Sequence, residues 1–144
     1  MRAFWAVLLL SLCGQVATEE ALRPLLDFTS PEVTQTWQAV NDGVMGGISD
    51  GRFRITPDKT LEFFGTLSLE NNGGFASVRT KPTDLDIKAG DTIVVRVKGD
   101  GRKYVLNIYT KSRRVAFSYR APLPTRKDEW TDMAVPLADF VPTA

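Results

Sequence analysis

Polar and apolar residues alternate with a period of two along most of this chain, as they do in half-buried β-strands. Trp37 to Val40 reads as a first short strand. Phe53 and Ile55 then alternate with Arg52, Arg54 and Thr56, and Leu61, Phe63, Gly65, Leu67 and Leu69 carry the period onward. Phe75 to Thr80 alternates again. In Thr92 to Lys98, Ile93, Val95 and Val97 share one face while Val94 and Arg96 take the other. Gly99-Asp100-Gly101-Arg102 predicts an Asp-Gly hairpin turn, with Tyr104, Leu106, Ile108 and Thr110 on the returning strand. Val115, Phe117 and Tyr119 predict another strand, and Trp130 to Val135 a further one closed by Pro136. Thr29-Ser30-Pro31-Glu32 is a helix cap with proline at the first helical position, which predicts a turn or two of helix. About seven short strands with no helices alternating between them predict an all-β sandwich or barrel rather than a parallel α/β sheet.

The first residues break this pattern. Met1-Arg2 precedes a nearly unbroken apolar run from Ala3 to Leu12, the layout of a secretory signal and too short for an ordinary membrane span. Residues 1–21 are read as a signal peptide and residues 22–144 as the domain. The expected location is therefore outside the cytoplasm: secreted, periplasmic or in a secretory-pathway lumen. Lipid attachment at Cys13 and an uncleaved anchor are open alternatives. A single Arg followed by Glu19-Glu20 argues against a mitochondrial transit peptide, which is Arg-rich and poor in acids.

Composition narrows the chemistry. Lys+Arg 18 against Asp+Glu 17 gives no basic excess of the kind a duplex-binding surface needs, so nucleic acid is not an expected partner. The densest basic cluster, Lys111, Arg113 and Arg114 near Arg102 and Lys103, reads as a solvated strand face or hairpin end, with a nucleic-acid or anionic-lipid patch as the alternative. There is no histidine, which removes the usual general base and metal ligand. Cys13 is the sole cysteine, so the domain has no disulfide and no thiolate zinc site. No cofactor and no metal site is expected, and no catalytic residue is assigned. Acidic residues at Asp42, Asp50, Glu62, Glu70, Asp84, Asp86, Asp128 and Glu129 are scattered without the spacing of an EF-hand or a fixed carboxylate pair.

Two loops hold the candidate chemistry. Gly43-Val44-Met45-Gly46-Gly47 lacks the Lys-Ser/Thr of a phosphate-binding loop and the spacing of a dinucleotide fingerprint. It reads either as a tight crossover or as a ligand-contacting loop. Glu70-Asn71-Asn72-Gly73-Gly74-Phe75 is a turn whose two amides bring four donors and two acceptors, suited to hydroxyls or backbone amides. Trp37 and Trp130 read as core anchors or as ligand platforms.

These segments occur in an order that closely resembles the complex I intermediate-associated (CIA30) family. The resemblance runs through Trp37 to Ser49, Phe64 to Arg79, Val97 to Tyr104, and Trp130 to Pro136 with Phe140 and Pro142. It covers about Phe28 to Thr143. It implies a jelly-roll, galactose-binding-like β-sandwich and a non-enzymatic role: an assembly-factor or chaperone-like module that binds another protein, such as a membrane or respiratory-complex subunit. An exported carbohydrate-binding module is the alternative. The loop motifs are the family's signature. The binding residues are accordingly expected among Asn41, Asp42, Gly46, Gly47, Ser49, Asn71, Asn72, Gly73, Gly74 and Arg79. Family members continue well past the Asp-Phe motif, here Asp139-Phe140, so the domain is read as truncated, with C-terminal strands missing and a sheet edge left unpaired.

Overall fold

The computed structural model describes residues 22–111 and 118–143. The protein is all-β. The chain divides between Thr83 and Asp84 into two compact units.

The first unit begins with a single helical turn, α1 (Val33–Thr36). Ahead of it the Ser30 hydroxyl accepts the Glu32 N–H at 3.3 Å in a local turn, and the helix itself has no side-chain cap. Four strands follow. β1 (Trp37–Asn41) pairs antiparallel with β4 (Ala76–Thr80), with Trp37 opposite Thr80 and Asn41 opposite Ala76. β2 (Asp50–Ile55) pairs antiparallel with β3 (Leu61–Thr66). Phe53 sits opposite Phe63 on one face, and Arg54 opposite Glu62 on the other, as the alternation predicted. Thr56 and Thr60 close this hairpin through their hydroxyls, 2.7 Å apart. The Asn41 amide joins the two pairs of strands by donating to the Gly51 carbonyl at 3.1 Å. Trp37 is half-buried against Phe28, with ring centroids 5.7 Å apart.

The period of two does not continue into Leu67 and Leu69. β3 ends at Thr66, and both leucines lie exposed in the loop beyond it.

The second unit holds two sheets. β5 (Thr92–Lys98) pairs antiparallel with β8 (Trp130–Pro136). β6 (Lys103–Tyr109), β7 (Ser118–Pro124) and β9 (Val141–Thr143) make a three-stranded sheet in the order β6-β7-β9. The sheets meet through Ala121, Val135 and Phe140, with Ile93, Leu106, Ile108, Tyr119 and Leu137 packed around them. The β-branched run of β5 suits that half-buried surface. β9 was not expected from the sequence; it places Pro142 opposite Tyr119. The strand predicted at Val115 to Tyr119 is described only from Ser118 onward, where it runs on to Pro124.

The Asp-Gly turn is not the hairpin that the sequence predicted. β5 and β6 do not pair; the chain crosses from one sheet to the other. The physical reason is Thr125, buried at the end of β7 and occupying the inside of the turn. Its hydroxyl donates to the Arg102 carbonyl at 2.8 Å and accepts from the Gly101 N–H at 3.2 Å. A Cβ on Gly99 would overlap the Thr125 side chain, so only glycine permits the approach. Gly99 bridges instead to Lys127 in the connection between β7 and β8. The turn is thus used to bind a third segment rather than to return on itself.

Trp130 is 45% exposed on the outer face of β8, with the Arg96 guanidinium 5.8 Å from its ring. It is not a core anchor, because strand alternation sends Thr131, Met133 and Val135 inward instead.

Candidate functional site

In the first unit the two glycine-rich loops meet around one carboxylate. Asp42 opens a 3-10 turn (Asp42–Met45) that leaves the end of β1, and it has no accessible surface. Its Oδ1 accepts the Ser49 N–H at 3.0 Å. Its Oδ2 accepts the Ser49 hydroxyl at 2.6 Å, the Gly74 N–H at 2.7 Å and the Phe75 N–H at 3.3 Å. The backbone completes the junction, with the Asp42 N–H donating to the Phe75 carbonyl at 3.2 Å. Ser49 extends it by accepting the Ser68 N–H on its hydroxyl at 3.0 Å.

A buried carboxylate survives only when its lone pairs are taken by donors. Here they are taken from both loops. The hydrogen bonds from the Ser49 hydroxyl and the Gly74 N–H outweigh burial and hold the Asp42 pKa below the ordinary carboxylate value. Asp42 is therefore an ionised clamp, closed to solvent.

The glycines fit this clamp sterically. A Cβ at Gly47 would overlap the Asp42 carboxyl group, and one at Gly73 would lie 2.6 Å from Asp42 Oδ2. Gly46 ends the first turn with φ 88°. The second loop makes its own 3-10 turn (Glu70–Asn72), in which Asn71 and Asn72 take φ of 54° and 59°. Both asparagines are exposed at the rim.

Asn41, Asp42, Gly46, Gly47, Ser49, Asn71, Asn72, Gly73 and Gly74 thus belong to one loop cluster. Arg79 does not. It lies opposite Gln38, further along β4 from the loops, and its Nε donates to the Ser77 hydroxyl at 2.9 Å.

Sequence reasoning missed the apolar members of the cluster. Val44 and Leu69 are 83% and 80% exposed, and Met45, Ile48 and Leu67 are more than half exposed. Isolated exposed apolar residues are ordinary, but five on two loops fastened at one point are not. Val44 and Met45 between glycines were the available signal. Leu67 and Leu69 were hidden by their strand-like spacing.

Elsewhere the polar groups are committed to one another. Asp50 pairs with Arg52, Glu62 with Arg54, Asp84 with Lys111, and Glu129 with Arg126, all at the surface. Arg102 faces Asp100 at 3.5 Å. Arg113 and Arg114 of the basic cluster lie outside the described residues. Among the described residues, no group of three or more acidic, His or Cys side chains is placed to hold a metal. A cleft of about 360 Å³ in the second unit is lined by Pro124, Thr125, Arg126, Thr131, Asp132 and Met133. Its polar groups are turned to internal partners: Thr125 to Arg102, Thr131 to the Val97 carbonyl, Arg126 to Glu129.

Comparison with known proteins bears on this cluster. The model of the family described as complex I intermediate-associated protein 30 (CIA30) matches residues 26–144, which include both loops. The chain is also similar to the mitochondrial complex I intermediate-associated protein 30 of Drosophila melanogaster, 26% identical over 103 residues, taking in 60% of this chain and 35% of the relative. The matched stretch therefore spans about a third of that relative's length.

The relative corrects the expected location. It is a mitochondrial protein, which contradicts the expectation of an exported location. The physical reason lies in how little that reading used. A short apolar run behind one Arg is a compositional feature, and residues 1–21, with Cys13, lie outside the described residues. Among the described residues no helix is long and apolar enough to cross a membrane. By the match of its family model across both units, the chain belongs to the complex I intermediate-associated protein 30 (CIA30) family.

Proposed function

We propose that this chain is a non-catalytic, protein-binding module with an assembly-factor or chaperone-like role toward a respiratory-complex protein, and that it docks through the clamped loop cluster. The jelly-roll, galactose-binding-like strand plan implied by the family resemblance goes with this reading. One observation carries the proposal: Val44, Met45, Ile48, Leu67 and Leu69 stand exposed on loops whose base is fixed by the buried Asp42. Exposed apolar area is a source of binding free energy when a partner removes it from water. A rigid base lowers the ordering cost of binding, because the loops need not be organised on contact.

The roles of the other cluster residues follow. Asn41, Asp42, Gly46, Gly47, Ser49, Gly73 and Gly74 shape the surface from beneath. Asn71 and Asn72 offer amide donors and acceptors at its rim. Asp42 itself is no general base, because its lone pairs already receive N–H and O–H donors and no substrate atom can reach it. The name of the fly relative supplies the partner class.

The test is co-isolation from fly mitochondria. Tagged full-length chain and an Ile48→Ser/Leu69→Ser variant are each incubated with detergent-solubilised mitochondrial membranes, and complex I subunits are quantified by mass spectrometry. Enrichment of specific complex I subunits with the wild-type chain, lost in a variant with native circular dichroism, is the expected outcome. No complex I subunit enriched by folded wild-type protein sinks the assembly-factor reading. Enrichment unchanged in the variant moves the contact off these loops.

A further inference from the structure

The second loop contains Asn72-Gly73, the one Asn-Gly dipeptide in the sequence and the pairing most prone to lose ammonia. The nitrogen of a residue following asparagine can attack the side-chain carbonyl. Glycine hinders this least, since it has no side chain to shield its nitrogen. Asn72 is exposed, so its side chain is open to water. Neighbouring Asn71 is a natural control: it is also exposed and also has positive φ, but the residue after it carries a side chain.

The fold withholds the nucleophile. The Gly73 N–H donates to the Glu70 carbonyl at 2.9 Å, closing the 3-10 turn. The next N–H, that of Gly74, is held by Asp42 Oδ2 at 2.7 Å. The Gly73 Cα lies against the same carboxylate, since a Cβ there would be 2.6 Å from Oδ2. Gly73 cannot swing toward the Asn72 side chain while these contacts hold.

We propose that Asn72 is a site of spontaneous deamidation, protected while the Asp42 clamp is closed and exposed to reaction when the second loop detaches from it. In the reaction the Gly73 nitrogen gives its proton to solvent base and forms a bond to Asn72 Cγ. The bond from Cγ to the side-chain nitrogen breaks, and that nitrogen leaves as ammonia after taking a proton from water. A five-membered succinimide remains. Water adds to one of its two carbonyls and opens the ring to aspartate or isoaspartate. The net change is water in and ammonia out, with no oxidation or reduction.

The product has a built-in consequence. Isoaspartate adds a methylene to the backbone between residues 72 and 73, which moves Gly73 off the Glu70 carbonyl and Gly74 off Asp42. Either product also brings a second carboxylate into the loop that wraps the Asp42 carboxylate. Each opening that ends in reaction thus prevents the clamp from closing as before. The chemical step stands independently of the docking reading; only its effect on partner binding rests on that reading.

Peptide mapping by mass spectrometry, with isoaspartate resolved from aspartate, tests the proposal. The full-length chain is incubated at mildly alkaline pH in native buffer and in urea, beside a Ser49→Ala variant that removes one Asp42 donor and the Ser68 tie. Deamidation at Asn72 is expected to be at least about tenfold faster in urea than in the folded chain, as for a reaction that requires local opening. Ser49→Ala is expected to fall between, and Asn71 to lag in every sample. Equal rates in urea and native buffer overturn the protection, and Asn71 reacting as fast as Asn72 overturns the site. A Ser49→Ala chain with native circular dichroism and a wild-type rate overturns the dependence on the clamp. Loss of complex I capture is scored separately, so a failed docking reading leaves these rates unaffected.

Discussion

Asp42 joins two loops that are about thirty residues apart in sequence, and its charge is what holds them. Asp42→Asn keeps the shape but replaces one acceptor oxygen with an NH2 that must face N–H or O–H donors from Ser49, Gly74 or Phe75. The variant is expected to melt at lower temperature than the wild type at neutral pH, read by thermal circular dichroism. The pH dependence has a definite sign. The folded pKa of Asp42 is depressed, chiefly by the Ser49 hydroxyl. Its contribution is therefore complete above the unfolded carboxylate value of about 4 and is lost as pH falls through the folded value. The gap between wild type and Asp42→Asn should narrow on acidification below that value; a gap that stays constant or widens there contradicts the clamp. Asn41, Asp42, Gly47, Ser49 and Gly73 were candidates because they stand in the two loop motifs that carry the family resemblance. The sequence could not say that Asp42 would face inward, because burial of a carboxylate depends on donors from a loop far along the chain. Arg79 was grouped with them by adjacency in the family motif, and strand geometry carries it elsewhere.

The strands were legible where local pattern and tertiary context agree. β5 follows its alternation residue for residue, with Ile93, Val95 and Val97 on the half-buried face and the residues between them exposed, whereas in β8 the large apolar Trp130 takes the outer face. Periodicity failed where something distant decided the outcome. Leu67 and Leu69 keep the spacing of β3 but lie beyond its last paired residue, Thr66. The Asp100-Gly101 turn has hairpin chemistry, including the Arg102 N–H bonded to the Asp100 carboxylate at 3.0 Å, yet it closes on Thr125. Gly99→Ala is therefore expected to destabilise the second unit by about 1–3 kcal/mol, as overpacking does. Thr125→Ala is expected to cost about 1–2 kcal/mol by leaving the Gly101 N–H without its acceptor. Urea denaturation followed by a probe in this unit checks both. A plain β5-β6 hairpin would leave Thr125→Ala nearly neutral.

Little apolar side chain is fully withdrawn from water among the described residues. Among the described residues only Ala121, Val135 and Phe140 are buried hydrophobics, while Val44, Leu69, Val105 and Val141 are more than half exposed. Burial supplies most of the favourable free energy of folding, so the chain alone is expected to fall at or below about 5 kcal/mol, the lower end for native domains. A protein with this balance gains stability from whatever covers its surface, by mass action. Saturating the loop cluster with its partner should raise the melting temperature. Val44→Ser/Leu69→Ser should leave the free chain's melting temperature nearly unchanged while abolishing that rise. A variant that unfolds outright would mean the two residues hold the fold together instead of facing a partner.

The short last strand bears on the same exposure. β9 lies at one side of the β6-β7-β9 sheet, and Pro142 sits at its centre. Proline has no amide proton, so a neighbouring chain that tried to add itself along this rim would meet a gap in the ladder. A molecule with so much bare apolar surface would otherwise be prone to grow into fibrous stacks through such a rim. Pro142→Val is therefore expected to turn clear solutions turbid at concentrations where the parent stays dispersed.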